Sequence, residues 1–211
     1  MNIYDLSLKF KIDDMVFPGT PPMSYRLSHT VKKDFYNLGI AEINSHAGTH
    51  TDAPRHFLDD GIALGDVSLE KYVGSCVVID LRGKKANDRI GIEDVKAYEN
   101  EIIAKKRVLL HTGWYKHANT ETYYADYPSV DLELANYLSS LSILLIGVEA
   151  PSLNPPLYIE VHQAFLKKEI AIVESLANLD QILGKDVIFC APPIAFHGAD
   201  GFPVRAFAIE M

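Results

Sequence analysis

The sequence is poor in cysteine: only two of its 211 residues, Cys76 and Cys190, are of this type. Two thiols cannot supply a multi-disulfide framework or a four-cysteine zinc site. Both cysteines lie inside apolar, strand-like segments, which predicts buried free thiols in a reducing compartment. A disulfide between them is the disfavoured alternative.

Basic residues and long apolar runs are also scarce. The chain has 20 Lys and Arg residues against 28 Asp and Glu, and its formal net charge is -8. This balance argues against a nucleic-acid partner, which requires a basic face. The longest apolar run, around residues 143–148, is too short to span a bilayer, so no membrane role is expected. The N-terminal residues alternate apolar and polar side chains and lack the layout of a signal peptide, so we expect a cytoplasmic protein.

The hydrophobic content of 48% is that of an ordinary globular protein. We therefore predict a single domain over residues 1–211, with enough length for one sizeable core. Strand and helix patterns alternate in the central and C-terminal parts, which predicts an α/β fold with a largely parallel or mixed central sheet flanked by helices. The predicted strands are the N-terminal residues and 25–31, 38–44, 73–81, 107–112, 143–148, 170–173, 187–191 and 204–210. The predicted helices are 93–105, 131–141 and 158–168.

One stretch, residues 45–57, concentrates potential metal ligands. It reads Ser-His-Ala-Gly-Thr-His-Thr-Asp-Ala-Pro-Arg-His-Phe and contains His46, His50, Asp52 and His56. Imidazole nitrogens and carboxylate oxygens suit zinc, manganese or iron, and three protein ligands with a free position are typical of a catalytic centre. His50 and Asp52 are two residues apart and would share one side of an extended segment. Polar loop residues without a metal are the alternative for any single histidine, but four such groups in eleven positions favour a metal site.

Further candidates come from four other parts of the chain. His162 lies on the apolar face of the predicted helix 158–168, where it is either a ligand or a hydrogen-bonded core histidine. Glu174 ends a short buried strand, where a carboxylate needs a partner. Phe17, in Phe-Pro-Gly, is either a wall of the substrate pocket or part of a structural turn. His197 and Asp200 could overhang the pocket or form a polar turn.

These motifs together resemble the cyclase-like metal-dependent hydrolases, the family that includes bacterial kynurenine formamidase and isatin hydrolase. The family pattern His-x-Gly-Thr-His-x-Asp-x-Pro-x-His-Phe occurs whole at residues 46–57. Its second segment resembles Ala150-Pro151-Ser152, His162 and residues 172–179 of this chain. One departure is Phe17, where kynurenine formamidases have Trp. The resemblance implies a swivelling β/β/α fold.

The resemblance also implies two divalent metal ions, with zinc and manganese equally suited. It assigns His46, His50 and Asp52 to one ion and Asp52, His162 and Glu174 to the other. Metal-bound hydroxide would then attack the substrate carbonyl. His56 is not needed as a ligand, so we predict that it is the general acid/base. Its alternative is a hydrogen bond that orients a ligand.

The expected activity is hydrolysis of a small carbon–nitrogen amide, an aryl formamide such as N-formylkynurenine. Opening of a cyclic amide such as isatin is the alternative enzyme activity, and metal or small-ligand binding without turnover is the alternative of another class. The relatives suggest a homodimer or larger homo-oligomer. Trp114, Tyr115, Tyr123 and Tyr124 are candidate interface anchors, unless they cover the core.

Overall fold

The computed structural model describes residues 1–211 and contains two main β-sheets and one layer of helices. The strands are β1 Ile3–Asp5, β2 Ser24–His29, β3 Leu38–Glu42, β4 His50–Asp52, β5 Val73–Ser75, β6 Val77–Asp80, β7 Arg89–Ile90, β8 Arg107–His111, β9 Ser129–Val130, β10 Leu145–Val148, β11 Ala171–Glu174, β12 Val187–Cys190, β13 Gly201–Pro203 and β14 Phe207–Glu210. The α-helices are α1 Val31–Asp34, α2 Ile92–Val95, α3 Glu99–Lys105, α4 Glu121–Ala125, α5 Leu132–Ser140 and α6 Tyr158–Leu166.

The larger sheet has six strands in the order β13-β4-β11-β10-β8-β6. Strands β6, β8, β10 and β11 are parallel, β4 pairs antiparallel with β11, and the edge strand β13 pairs antiparallel with β4. The four-stranded sheet, in the order β1-β14-β12-β5, is wholly antiparallel. The predicted α/β fold with a mixed central sheet is therefore confirmed.

The six-stranded sheet lies between two hydrophobic cores because its side chains alternate between its two faces. On β8, Val108 and Leu110 point into the core shared with the helices, while Leu109 points into the core shared with the smaller sheet. The order of layers is therefore helices, mixed sheet and antiparallel sheet. No helix is both long and apolar enough to cross a bilayer.

Residues 73–81 form two strands rather than the single strand predicted. Val73–Ser75 belongs to the antiparallel sheet and Val77–Asp80 to the mixed sheet, with the buried Cys76 between them. Gly74 has φ near +150°, and the Arg107 guanidinium packs where a Cβ would stand. A glycine thus permits the chain to pass from one sheet to the other. Both cysteines are buried and free, as predicted.

Four other predicted elements also differ from the structure. The helix predicted at 93–105 is interrupted by a 3-10 turn at Lys96–Tyr98. The β-branched Val95 precedes this turn and the aromatic Tyr98 ends it, and both residue types have lower helix propensity. The last strand begins at Phe207 rather than residue 204, while Gly201–Pro203 pairs separately at the sheet edge, where the missing N–H of Pro203 is tolerated. Strands β2 and β3 do not lead into the main sheets but pair only with each other.

The candidate interface aromatics divide between core and surface. Trp114 and Tyr123 are buried, so of the two alternatives the structure favours covering of the core for this pair, and they are not exposed anchors. The indole Nε1 of Trp114 donates to the Tyr123 carbonyl at 3.1 Å. Aromatic rings are used in cores as well as at interfaces, so aromatic content alone could not identify an interface surface.

Candidate metal centre

Strand pairing brings four of the predicted ligands to one place. His50 and Asp52 lie on the same side of β4, and the antiparallel register sets Glu174 at the end of β11 directly opposite His50. The Nε2 atom of His50 is 3.3 Å from Glu174 Oε2 and 3.6 Å from Asp52 Oδ1. Helix α6 adds His162, whose Nε2 is 3.3 Å from Glu174 Oε1 and 3.7 Å from Asp52 Oδ2. All four side chains are buried.

Backbone carbonyls orient two of the imidazoles. His50 Nδ1 donates to the Gly48 carbonyl at 2.8 Å, and His162 Nδ1 donates to the Tyr158 carbonyl at 2.6 Å. A carbonyl can only accept, so the proton on Nδ1 leaves the lone pair on Nε2 for the inside of the cluster. This arrangement is the one commonly found around metal-binding histidines.

His46 and His56 form the outer part of the cluster. His46 lies in the turn before β4, with Nδ1 2.9 Å from Asp52 Oδ1 and Nε2 2.8 Å from Asp200 Oδ2. His56 ends the 3-10 turn Pro54–His56, and its ring stacks on that of His46 at 3.9 Å. Its Nδ1 is 3.3 Å from Asp200 Oδ2. Carboxylate and imidazole therefore alternate from Asp52 through His46 and Asp200 to His56.

The protonation of this cluster follows from burial and from the alternating charges. Burial lowers the pKa of His46, but hydrogen bonds to Asp200 and Asp52 outweigh it and raise that pKa to about 10. Burial raises the pKa of Asp52, but His46 outweighs it and the net pKa is well below its usual range. Hydrogen bonds from His46 and His56 lower the pKa of Asp200. Without a metal, the proton on His46 therefore balances part of the carboxylate charge.

The donor atoms fit divalent metal ions. Ligand atoms at 2.0–2.1 Å from a tetrahedral zinc ion lie about 3.3 Å apart, and the donor distances within the cluster run from 2.9 to 3.7 Å. Asp52 Oδ2 is buried without a hydrogen-bond partner, as expected for an oxygen reserved for a cation. Two groups of three donors each lie within 4.8 Å: His46 with Asp52 and His56, and His50 with Asp52 and Glu174.

These two groups divide the candidate ligands differently from the division that the family resemblance implies. His50 lies with Glu174 rather than with His46, and His56 lies among the potential ligands. Asp52 belongs to both groups, as a bridging carboxylate would. Strand register explains the difference, since residues 50 and 174 are direct cross-strand partners.

A pocket of about 360 Å³ opens over the cluster. Phe17, Phe57 and Tyr158 supply its aromatic walls, and the imidazoles of His46, His50, His56 and His162 face it together with Glu174. The ring of Phe17 meets Tyr158 edge-on at 6.1 Å, and Phe57 stacks on His162 at 4.4 Å. Such a mixture of apolar walls and a few polar groups is typical of small-molecule sites.

Two further histidines, His111 and His197, lie away from the cluster. His111 is fully buried and pairs with Glu149, its Nδ1 lying 3.1 Å from Oε1, and His197 is exposed. By contrast, Asp200 reaches the cluster from the turn before β13. Thr49, to which the sequence analysis gave no role, links the segment before β4 to the end of β11, because its hydroxyl donates to the Ser175 carbonyl. Its place between His46 and His50 in the family pattern was the available signal.

Comparisons with known proteins match nearly the whole chain. Residues 4–155 match a family model described as "Putative cyclase". A kynurenine formamidase from Bacillus cytotoxicus is 33% identical over 205 residues, covering 96% of this chain and 94% of that protein. The crystal structure of an isatin hydrolase bound to the product analogue thioisatinate superimposes with a TM-score of 0.86 at 21% identity, over 99% of this chain and 92% of that one. A potential metal-dependent hydrolase with cyclase activity has a TM-score of 0.80 at 21% identity, over 100% and 98% of the two chains.

Proposed function

This chain belongs to the cyclase family, and from that membership we propose that it is a metal-dependent amidohydrolase that cleaves an aryl formamide such as N-formylkynurenine. Hydrolysis adds water across the amide carbon–nitrogen bond and releases formate and the free amine. The observation that carries the proposal is the buried Asp52 oxygen without a partner, surrounded by imidazole and carboxylate donors on the floor of an aromatic-walled pocket. Likeness to kynurenine formamidases supports the substrate class.

We propose that His46, His50, Asp52, His162 and Glu174 hold two divalent ions, zinc or manganese, with Asp52 shared between them. A divalent ion, when bound, supplies a Lewis acid that lowers the pKa of water to about 7 and polarises a carbonyl. The carbonyl groups of Gly48 and Tyr158 hold His50 and His162 in the tautomer that this role requires. Metal binding would displace the proton of His46, so affinity would rise with pH.

His56 is the proposed general acid/base. It lines the pocket, and its Nδ1 lies beside the Asp200 carboxylate, which leaves Nε2 without a partner inside the chain. Nε2 would take a proton from the attacking water and return it to the departing amide nitrogen. Asp200 orients the ring and stabilises its protonated form, as carboxylates beside catalytic imidazoles do. The competing assignment for His56 is a metal ligand, because its ring lies among the possible ligands.

The aromatic walls select the substrate in this proposal. Phe17, Phe57 and Tyr158 can enclose one aromatic ring, and 360 Å³ lies within the range of pockets for small ligands. Phe17 is smaller than the Trp of the kynurenine formamidases, which leaves more room on its side. A fused bicyclic amide would use the same walls, so the substrate test includes isatin.

The test is elemental analysis of protein purified without added metal, followed by assays of N-formylkynurenine, other formyl anilides, isatin and cyclic imides. We expect hydrolysis of formyl anilides that a chelator abolishes and zinc or manganese restores. Faster turnover of isatin would overturn the formamide assignment but retain the hydrolase. Full metal loading without turnover of any amide would favour a binding protein. A variant of a distant buried histidine, His111→Gln, serves as the control for general loss of structure.

We further propose that the protein is cytoplasmic and works as a homodimer or larger homo-oligomer. Its two free, buried thiols support a reducing compartment. Light scattering and cell fractionation test these assignments.

A further inference from the structure

Ser175, the residue immediately after the candidate ligand Glu174, has a backbone conformation that residues other than glycine rarely adopt. Its φ is +56°, in the left-handed region. Serine does not visit this region routinely, and the conformation is disfavoured by a factor of roughly 5–30 in an equilibrium constant. Such residues persist where the surrounding structure fixes them, and they cluster at functional sites.

This residue ends the pairing between the two strands that carry candidate ligands. Strands β4 and β11 are antiparallel with Glu174 opposite His50, so the next pair in the same register would be Ser175 and Thr49. The Ser175 N–H donates instead to the Ala150 carbonyl at 2.9 Å, and the Ser175 carbonyl accepts from the Thr49 hydroxyl. A threonine side chain therefore takes the place of a ladder hydrogen bond where both segments leave the sheet.

The Ser175 side chain is held by a third element, helix α4. This helix carries Tyr123, whose hydroxyl donates to the Glu149 carbonyl at 3.1 Å and shares a hydrogen bond of 2.9 Å with Ser175 Oγ. Tyr123 is itself 1% exposed, and its backbone carbonyl accepts from the indole of Trp114. Ser175 is buried as well, and each of its polar groups has a partner within the chain.

The position of Glu174 depends on this turn. Ser175 and Glu174 share a peptide bond, so a rotation of the Ser175 backbone would displace the neighbouring carboxylate. That carboxylate lies 3.3 Å from Nε2 of His50 through one oxygen and 3.3 Å from Nε2 of His162 through the other. Ligand atoms must be held to a few tenths of an ångström for a metal ion, and the bonds to Ser175 provide such a constraint next to the ligand.

We propose that Tyr123 is a positioning residue for the metal centre. Together with Thr49 it holds Ser175 in the left-handed conformation, and the turn thereby fixes Glu174 before any ion binds. Without the Tyr123 hydroxyl the metal-free chain would relax at Ser175, and metal binding would have to restore the disfavoured conformation at a loss of affinity. The inference rests on the proposed metal centre but not on the identity of the amide substrate.

The test is a metal titration of the full chain, which is stripped with a chelator and then titrated with zinc against a competing chromogenic chelator. We expect Tyr123→Phe to raise the zinc dissociation constant roughly 5–30-fold, the factor by which the left-handed conformation is disfavoured. Adding Ser175→Gly to this variant should return the constant to within about threefold of wild type, because glycine populates positive φ about as readily as negative φ. Adding Ser175→Ala should not, because alanine also lacks the hydroxyl but keeps the backbone penalty.

Tyr127→Phe is the matched control. Tyr127 is likewise 1% exposed, and its hydroxyl donates to that of Tyr158 at 3.3 Å rather than to the Ser175 turn, so zinc affinity should equal that of wild type. Circular dichroism and urea unfolding check that each variant is folded. If Tyr123→Phe does not fold, the single variants Ser175→Gly and Ser175→Ala carry the test, and the alanine variant should bind zinc roughly 5–30-fold more weakly than the glycine variant.

Two results would overturn the positioning role alone: wild-type zinc affinity in Tyr123→Phe, or equal affinities in the paired glycine and alanine variants. A wild type that binds neither zinc nor manganese would overturn the metal centre and this inference together. Zinc affinity is measured without an amide, so these outcomes are separate from those of the substrate assays.

Discussion

Replacement of Asp52 by asparagine is the sharpest test of the metal centre. The carboxylate is 1% exposed, accepts from His46 at 2.9 Å and lies within 3.7 Å of the Nε2 atoms of His50 and His162. Asparagine keeps the size and one acceptor for His46 but removes the charge that two cations would share. In the metal-free protein the cost should be limited to the difference between a charge-assisted and a neutral hydrogen bond, about 1–2 kcal/mol.

The effect should be larger when metal is present. A ligand that binds only the folded protein stabilises it by about 2.7 kcal/mol at a concentration of 100 times its dissociation constant. We therefore expect wild type to gain at least this much when zinc or manganese is added, and Asp52→Asn to gain almost nothing. Urea unfolding with metal and with chelator measures the gain, and elemental analysis measures the ions per chain. Asp80→Asn, in an exposed pair with Arg82, is the matched control. Equal metal content and equal stabilisation in Asp52→Asn and wild type would refute the shared-carboxylate role.

Three other outcomes are expected. His56→Ala should keep wild-type metal content but lose roughly 10²–10⁴-fold in kcat; most of the activity remaining at full metal occupancy would contradict the acid/base role. Phe17→Ala should raise KM by about tenfold with kcat nearly unchanged, because the ring contributes to binding and not to proton transfer. Steady-state kinetics on formyl anilides measure both constants, and a fall in kcat at unchanged KM would contradict this role. The metal-free protein should be less stable at pH 10 than at pH 6.5, because folding raises the pKa of His46 from 6.5 to about 10. The protonated imidazole stabilises the folded protein by on the order of 3–5 kcal/mol. This stabilisation is complete below the pKa of the unfolded chain and is lost as the pH rises through the pKa of the folded protein. Urea unfolding of His46→Gln should lack most of this dependence, and an identical pH profile would speak against it.

Local sequence patterns were sufficient for the parts of the fold with strong periodicity. The helices near 131–141 and 158–168 and the strands of the parallel core were predicted within a few residues of their positions, because buried faces impose a repeat on the sequence. The prediction was wrong where two elements with the same local pattern belong to different layers. Residues 73–81 are mostly apolar, and only pairing with β12 or β8 assigns them to one sheet or the other.

The hairpin of β2 and β3 illustrates the same limit. Residues 25–31 and 38–44 have the composition of strands, and strands they are, but nothing in their local pattern shows that they lack a core to pack on. Likewise, Trp114 and Tyr123 are of residue types that are common at interfaces, yet both are buried by packing against elements distant in sequence.

For the metal centre, the sequence by itself determined which groups are available: the donors of residues 46–56 are close in sequence, and their residue types already restrict the chemistry to imidazole and carboxylate ligation. Only the tertiary structure decided their partners. The antiparallel register of β4 and β11 sets Glu174 across from His50, helix α6 brings His162 to the same carboxylates, and the turn before β13 adds Asp200 to His46 and His56. Distances between groups more than a hundred residues apart depend on strand order and register, which are set by the burial of whole sheet faces rather than by any local motif.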